Sequence, residues 1–355
     1  MNILQRYIAK TVISATALVV LVMIALIFVI NTLDELRDVG TGDYGLMQAV
    51  THVVLELPHN LYQYFPMLVL MGGVLGLGIL SSHQELVVMR TAGFSVRKIA
   101  SSIIMAALLL IFIATGIGES AGPKGFYAAE SRKQSEQNGG QAVATKSGVW
   151  IHEGNNFLHI NRVLGYHHLE GITRYEFDNQ HRLQAAYYVK SLQMEHKKWI
   201  VTDAVKTTFK ADHTYSQPLS QAEWDLPLNP NLLNVGLIAP PEMSLVSLRQ
   251  YSSHLAKNGL QAGEFQWEFW KRVFQPLTTL VMILLAIPFV LRTSRSVTMG
   301  LRVLFGITVG FAFYILNGFL GQFSIVFQVS PMIAAIFPTL LFATLGYVLA
   351  AKYHS

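Results

Sequence analysis

The sequence contains no cysteine. That excludes disulfide cross-links, thiolate nucleophiles and cysteine-based zinc sites. Charge is also scarce: Asp, Glu, Lys and Arg make up 13% of the 355 residues, against roughly a quarter in an ordinary soluble domain. With 52% hydrophobic residues and a mean hydropathy of +0.39, the chain is neither a disordered polymer nor a solitary soluble enzyme, and it belongs in a membrane. The charges it has are unevenly spread. Residues 119–266 hold 14 basic and 14 acidic side chains, so of 26 basic and 21 acidic residues only 12 and 7 are left for the two flanks. The net excess of +5 lies beside apolar runs and forms no contiguous basic patch, which argues against nucleic acid as a partner.

Six apolar runs approach the roughly 20 residues that a helix needs to cross a bilayer core. They occupy about 11–31, 50–80, 99–118, 273–291, 303–323 and 332–351. The second is longer than required and begins with Glu56, Pro58 and His59, so its outer part projects beyond the hydrocarbon or kinks near Pro66. Six spans put both termini on one side. Arg6, Lys10, Arg90, Arg97, Lys98, Arg292, Arg295, Arg302 and Lys352 all fall on that side, which the positive-inside rule makes cytoplasmic. The first run is too long for the apolar core of a signal peptide, and no clean cleavage motif follows it, so it reads as a retained span.

The chain thus divides into spans one to three with their loops (1–118), an extracytoplasmic insertion (119–266) and spans four to six (267–355). Within the insertion, segments starting at Gly148, Asn156, Gly171, Tyr187 and Trp199 alternate apolar and polar residues. Turn residues such as Gly154-Asn155 and Asp178-Asn179 separate them. The expected fold is membrane α-helical with an inserted all-β domain, a sandwich or jelly roll. After Pro240-Pro241, residues 244–263 read as a helix capped by Ser244 or Ser247.

Catalytic and nucleotide motifs are missing. Gly140-Gln-Ala-Val-Ala-Thr-Lys146-Ser147 approaches a phosphate-binding loop, but Thr145 stands where the second glycine must let backbone amides cradle phosphate. None of the twelve histidines has His-Glu-x-x-His spacing, and His152-Glu153 and His167-His168 fall at strand edges or turns. No nucleophile-elbow glycine pattern appears. Glu56 and His59 share one helical face near the outer surface, so a proton relay stands beside the plainer reading of wetted interfacial residues.

The connection between spans two and three, residues 81–98, is unusually apolar for a basic loop. Leu86, Met89, Arg90 and Phe94 are spaced for one helical face, Glu85 suits the start of a helix, and Gly93 suits its stop. Such a helix could lie in the lipid interface or insert into a groove on a partner protein, and physics alone leaves both uses open.

Glu85-Leu-Val-Val-Met-Arg-Thr-Ala-Gly-Phe94, Gly118-Glu-Ser-Ala-Gly-Pro123, Gly154-Asn-Asn-Phe-Leu-His-Ile-Asn-Arg162, Phe274-Gln-Pro-Leu277 and Arg295-Ser-Val-Thr-Met-Gly-Leu-Arg302 resemble, in order, stretches of the LptF/LptG family of lipopolysaccharide export permeases. The LptG type is the closer of the two, and the resemblance covers essentially the whole chain. It implies six helices, a periplasmic β-jelly roll between the third and fourth, and no ATPase activity in this chain. It further implies an inner-membrane complex of one LptF-type and one LptG-type permease with a dimer of the LptB ATPase and LptC, which passes lipopolysaccharide to a periplasmic LptA bridge. Cofactors would be confined to the partner ATPase, as ATP and magnesium.

By the same resemblance, Glu85 is the acidic coupling residue of the loop helix, with Leu86, Met89, Arg90 and Phe94 beside it. Lipid A is anionic, so cations at the outer rim should meet its phosphates. Arg37, Lys271 and Arg272 are the basic residues of the flanks outside the cytoplasmic set, and Arg132 matches a family arginine. The family often has two adjacent basic residues after span one, whereas here Asp38 follows Arg37. Lys271 and Arg272 have an alternative use as snorkelling anchors. Phe28, Phe65, Leu68, Tyr314, Phe319 and Phe323 are expected to line an acyl-chain cavity and its gate. Three rival readings remain: the LptF role in the same complex, a proton-coupled lipid transporter using Glu56 and His59, and a membrane-anchored assembly module.

Overall fold

The computed structural model describes residues 2–137, 143–153, 156–163, 168–178, 180, 182–195, 198–210, 213–224, 239–257, 261–292 and 298–351. Gly140, Gly154, Asn155, His167, Asn179, Arg295 and Lys352, singled out above, lie outside the described residues. Four helices precede the sheet: α1 (Ile3–Glu35), α2 (Leu46–Ser82), the short α3 (Glu85–Thr91) and α4 (Val96–Gln137). Four follow it: α5 (Leu245–Lys257), α6 (Gly263–Arg292), α7 (Met299–Val326) and α8 (Pro331–Ala351). Six of these, α1, α2, α4, α6, α7 and α8, are long and apolar enough to cross a membrane.

Helix α2 is the hub, packing against α1, α4, α6 and α7. Its glycines allow the close approach: a Cβ at Gly76 would lie 2.9 Å from the Val12 Cα, and one at Gly72 would strike Thr16. The core between these helices is built from Ile8 and Val12 of α1, Val69, Leu70, Val74 and Leu77 of α2, Ile99 and Ile103 of α4, and Met282 and Ile283 of α6. Polar groups inside it are satisfied locally, as hydrocarbon requires. Thr16 donates to the Val12 carbonyl at 2.8 Å, Gln275 Nε2 to the Tyr62 carbonyl at 2.6 Å, and Thr278 and Thr339 pair at 2.7 Å.

One element differs from its sequence reading. The third apolar run is only the inner part of α4, which continues past Gly118 and Pro123 to Gln137. The all-β insertion stands between the third and fourth spans as expected, and among the described residues it forms one antiparallel sheet with strand order β1-β2-β3-β4-β5-β6. The strands are Val143–Glu153, Asn156–Val163, His168–Phe177, Leu183–Glu195, Lys198–Phe209 and Thr214–Trp224. Each pairs with its sequence neighbour. Leu158, Ile160, Leu169, Ile172, Val189, Leu192 and Val201 form its buried face, around Trp199. Strand β6 escaped the periodicity reading because it is polar and carries Pro218, which an edge strand tolerates. Helix α5 begins as expected, with the Ser244 hydroxyl accepting the Ser247 backbone N–H at 3.2 Å.

Candidate functional site

Helix α3 has well-defined ends. Gln84 precedes it in a left-handed conformation (φ 60°), and Gly93 follows at φ +84°. The Phe94 N–H reaches the Met89 carbonyl at 2.9 Å and the Gly93 N–H the Arg90 carbonyl at 3.0 Å, the paired bonds of a Schellman stop. The apolar face of this helix points inward. Leu86 (2% exposed), Met89 and Phe94 join the core with Leu80 and Ile99. They clamp α3 to the bundle, and the outward side shows Val87, Val88, Arg90 and Thr91. Glu85 lies between the two sides, with its carboxylate 3.8 Å from His83 Nδ1 and in the neighbourhood of Tyr7 on α1.

Next to α3, Arg302 of α7 is buried and donates to the Gly78 carbonyl of α2 at 3.0 Å. The positive-inside count placed Arg302 at this end of the bundle, but only the structure reveals it as a stitch between two helices. Two cation clusters occupy the opposite end. Arg272 (3% exposed) lies 3.4 Å from Glu119 of α4 and 3.5 Å from Glu268, and its guanidinium also reaches the Pro241 carbonyl. Lys271 sits 2.6 Å from Glu268 and over the Trp267 ring. Both were expected at an open rim facing lipid phosphates. Each has a carboxylate partner, Arg272 buried and Lys271 partly exposed, and both line the cleft that Tyr314 borders. Glu119 also accepts the Leu245 N–H at 2.9 Å, tying the start of α5 to α4.

In the second cluster Lys133 bridges Glu35 at 2.9 Å and Asp38 at 2.6 Å, while His52 contacts Glu56 at 3.1 Å and Glu35 at 3.6 Å. Tyr44 donates to Glu35 at 2.8 Å, and burial with these carboxylates raises its hydroxyl above the ordinary tyrosine range. Glu56 therefore pairs with His52, one turn back, rather than with His59; the i,i+4 spacing was the available signal. His59 is buried, with its ring 5.7 Å from Phe126. Near the 3₁₀ turn Pro240–Glu242, burial pushes the Glu242 carboxyl up to about 7. Its hydrogen bond from Ala239 N–H opposes the rise, and Glu130 and Glu56 add to it. Arg37 is 82% exposed, 3.7 Å from Asp34, and Arg132 is exposed beside a small cleft shared with Lys133.

The expected acyl-chain residues separate into groups. Leu68 is fully buried in this chain. Phe28 and Phe65 are partly buried. Tyr314 borders a polar cleft of α2, α6, α7 and α8 and meets Tyr64 ring to ring at 5.6 Å. Phe319 and Phe323 are exposed on α7. Only 11% of the α7 span and 22% of the α1 span are buried, against 61% for α2. So α1 and α7, both packed on α2, present broad apolar faces outward.

The family described as "Lipopolysaccharide export system permease LptF/LptG" matches residues 6–352. The chain is 35% identical over 342 residues to the lipopolysaccharide export system permease protein LptG of Escherichia coli (strain K12), covering 95% of each. It is 33% identical over 353 residues to the LptG protein of Haemophilus influenzae, covering 99% of each. With six spanning helices, an inserted antiparallel sheet and a match along nearly its whole length, this chain belongs to the LptF/LptG family of lipopolysaccharide export system permeases.

Proposed function

We propose that this chain acts in the bacterial inner membrane as an LptG-type transmembrane subunit of an ABC exporter. It would extract lipopolysaccharide and pass it to a periplasmic bridge, driven by a separate ATPase. The observation that carries the reading is the pairing of two features: a short, clamped helix that starts at a partly exposed Glu85 at the basic end, and two under-packed apolar faces, α1 and α7, along the bundle. An LptB-type ATPase dimer would dock on α3, and an LptF-type partner with LptC would cover the face of α7 and the outer half of α1, around Phe28. The β domain would lead toward LptA.

Energetics dictates the route. Exposing acyl chains to water costs about 0.8 kcal/mol per CH₂, so a lipid with several chains must stay in apolar surroundings throughout. Exposed Phe319 and Phe323, with partly buried Phe28, offer such a surface on α7 and α1. At the outer rim, exposed Arg37 and Arg132 are the cations available to lipid A phosphates. Closure of the ATPase would reach α1 through Glu85 and its neighbour Tyr7, and α7 through Arg302 and the end of α2.

A tagged chain purified in mild detergent tests this reading. A soluble P-loop ATPase should co-purify by mass, and Glu85→Lys should abolish its lipopolysaccharide-coupled turnover while the chain keeps its monodisperse profile. Normal export by the charge-reversed variant would overturn the assignment of Glu85. Isolation of the chain alone, with function lost in Glu56→Gln/His59→Gln, would favour the proton-coupled alternative.

A further inference from the structure

A groove of about 750 Å³ runs along the basic end of the bundle between α1 and α4, away from the acidic clusters and from the cleft at Tyr314. Its floor is made by the small side chains of Ala9 and Ala106, and its walls by Ile13, Met105 and Leu109. Arg6 and Lys10 stand at its mouth, one helical turn apart and both exposed. Among the described residues neither has an ion-pair partner, unlike Lys133, Lys271 and Arg272. An apolar trough that opens sideways from a spanning helix pair faces lipid. Two uncompensated cations at its mouth lie where headgroup phosphates sit, and charge of that sign selects anionic lipid.

We propose that this groove is a binding site for an anionic phospholipid of the leaflet at the basic end, with an acyl chain along Ala9, Ile13 and Leu109 and its phosphate on Arg6 and Lys10. One further lining residue, Tyr7, gives the site a consequence. Tyr7 lines the groove and neighbours Glu85, so lipid in the groove would restrict the Tyr7 ring and, beside it, the carboxylate of α3. Binding itself requires only that the chain spans a membrane; transmission to Glu85 rests on the coupling role proposed above.

The full complex, purified from native membranes and washed with detergent, should retain phosphatidylglycerol by native mass spectrometry. Retention should fall roughly tenfold in Arg6→Gln/Lys10→Gln, given the attraction of each cation for an anionic surface. It should also fall in Met105→Trp, which fills the trough and leaves the charges intact. Zwitterionic phosphatidylethanolamine retention should be unchanged. In vesicles, raising phosphatidylglycerol from none to a third of the lipid should change ATPase turnover of the wild-type complex and leave Tyr7→Phe unresponsive. Equal phosphatidylglycerol retention in wild type and both groove variants overturns the site. So does capture of a polypeptide, rather than lipid, by a photocrosslinker at Ile13. Lipid retention with a Tyr7→Phe response identical to wild type overturns the link to Glu85 alone, and absence of any co-purifying ATPase counts against the coupling reading and not against the site.

Discussion

Replacing Arg272 by Met is the sharpest test of how the outer half of the bundle is held together. The substitution keeps most of the side-chain volume and removes the guanidinium contacts to Glu119 at 3.4 Å, to Glu268 at 3.5 Å and to the Pro241 carbonyl. Glu268 is itself 3% exposed, so it would stay buried with only Lys271 at 2.6 Å to offset its charge. Breaking a buried pair from one side costs about 3–5 kcal/mol, and the surviving Lys271 contact places the expected loss near the lower end. At roughly 2 °C per kcal/mol for a large domain, this lowers the midpoint by about 6 °C. The assay is thermal loss of the monodisperse peak in detergent. Arg272→Met/Glu268→Gln, which removes both charges, should recover at least half of the loss. A single variant that melts with the wild type, or a double variant no better than the single, would refute the claim that these cations serve internal neutralisation.

Leu86→Ala removes the main clamp of α3. It should cost about 2–3 kcal/mol of local stability, seen as earlier proteolysis within residues 81–98 and as weaker ATPase retention, even though Leu86 does not face outward. The Glu242 carboxyl titrates near 7 in the folded chain against 4.5 in the unfolded one. The folded state therefore binds the extra proton between those values, and stability falls as pH rises from about 4.5 through 7; Glu242→Gln should flatten that slope in a melting series. Gly321→Val should fail to assemble or melt early, because a Cβ there would fall inside the Trp267 ring, whereas Gly116→Ala, which meets nothing within 4 Å, should match wild type. Light-scattering melts on the pair settle the contrast.

The spans, the inserted strands and the stop at Gly93 were legible because each depends on local periodicity or on a backbone conformation that only certain residues adopt readily. The orientation of α3 was not. Spacing of Leu86, Met89 and Phe94 shows that an apolar face exists, but a protein's own core and a partner's groove demand the same spacing. The pairing of Lys271 and Arg272 was hidden for a related reason: Glu119 is about 150 residues away in sequence, and nothing local reports that α4 and α6 meet. Glu268, three and four residues before them, was visible as an i,i+3 and i,i+4 partner, and weighing that spacing would have pointed to neutralisation over lipid contact.

Helix α4 starts three residues after Gly93, runs 42 residues, and carries Lys133 near its other end in the grip of Glu35 and Asp38. At 1.5 Å per residue it is about 63 Å long, twice the thickness of a hydrocarbon core. A rod of that length is a lever. One degree of tilt at its foot, beside α3, swings its tip by about 1 Å, and the Lys133 bridges would drag the outer end of α1 with it. Small movements on one side of the membrane would thereby be enlarged on the other, where the strands begin.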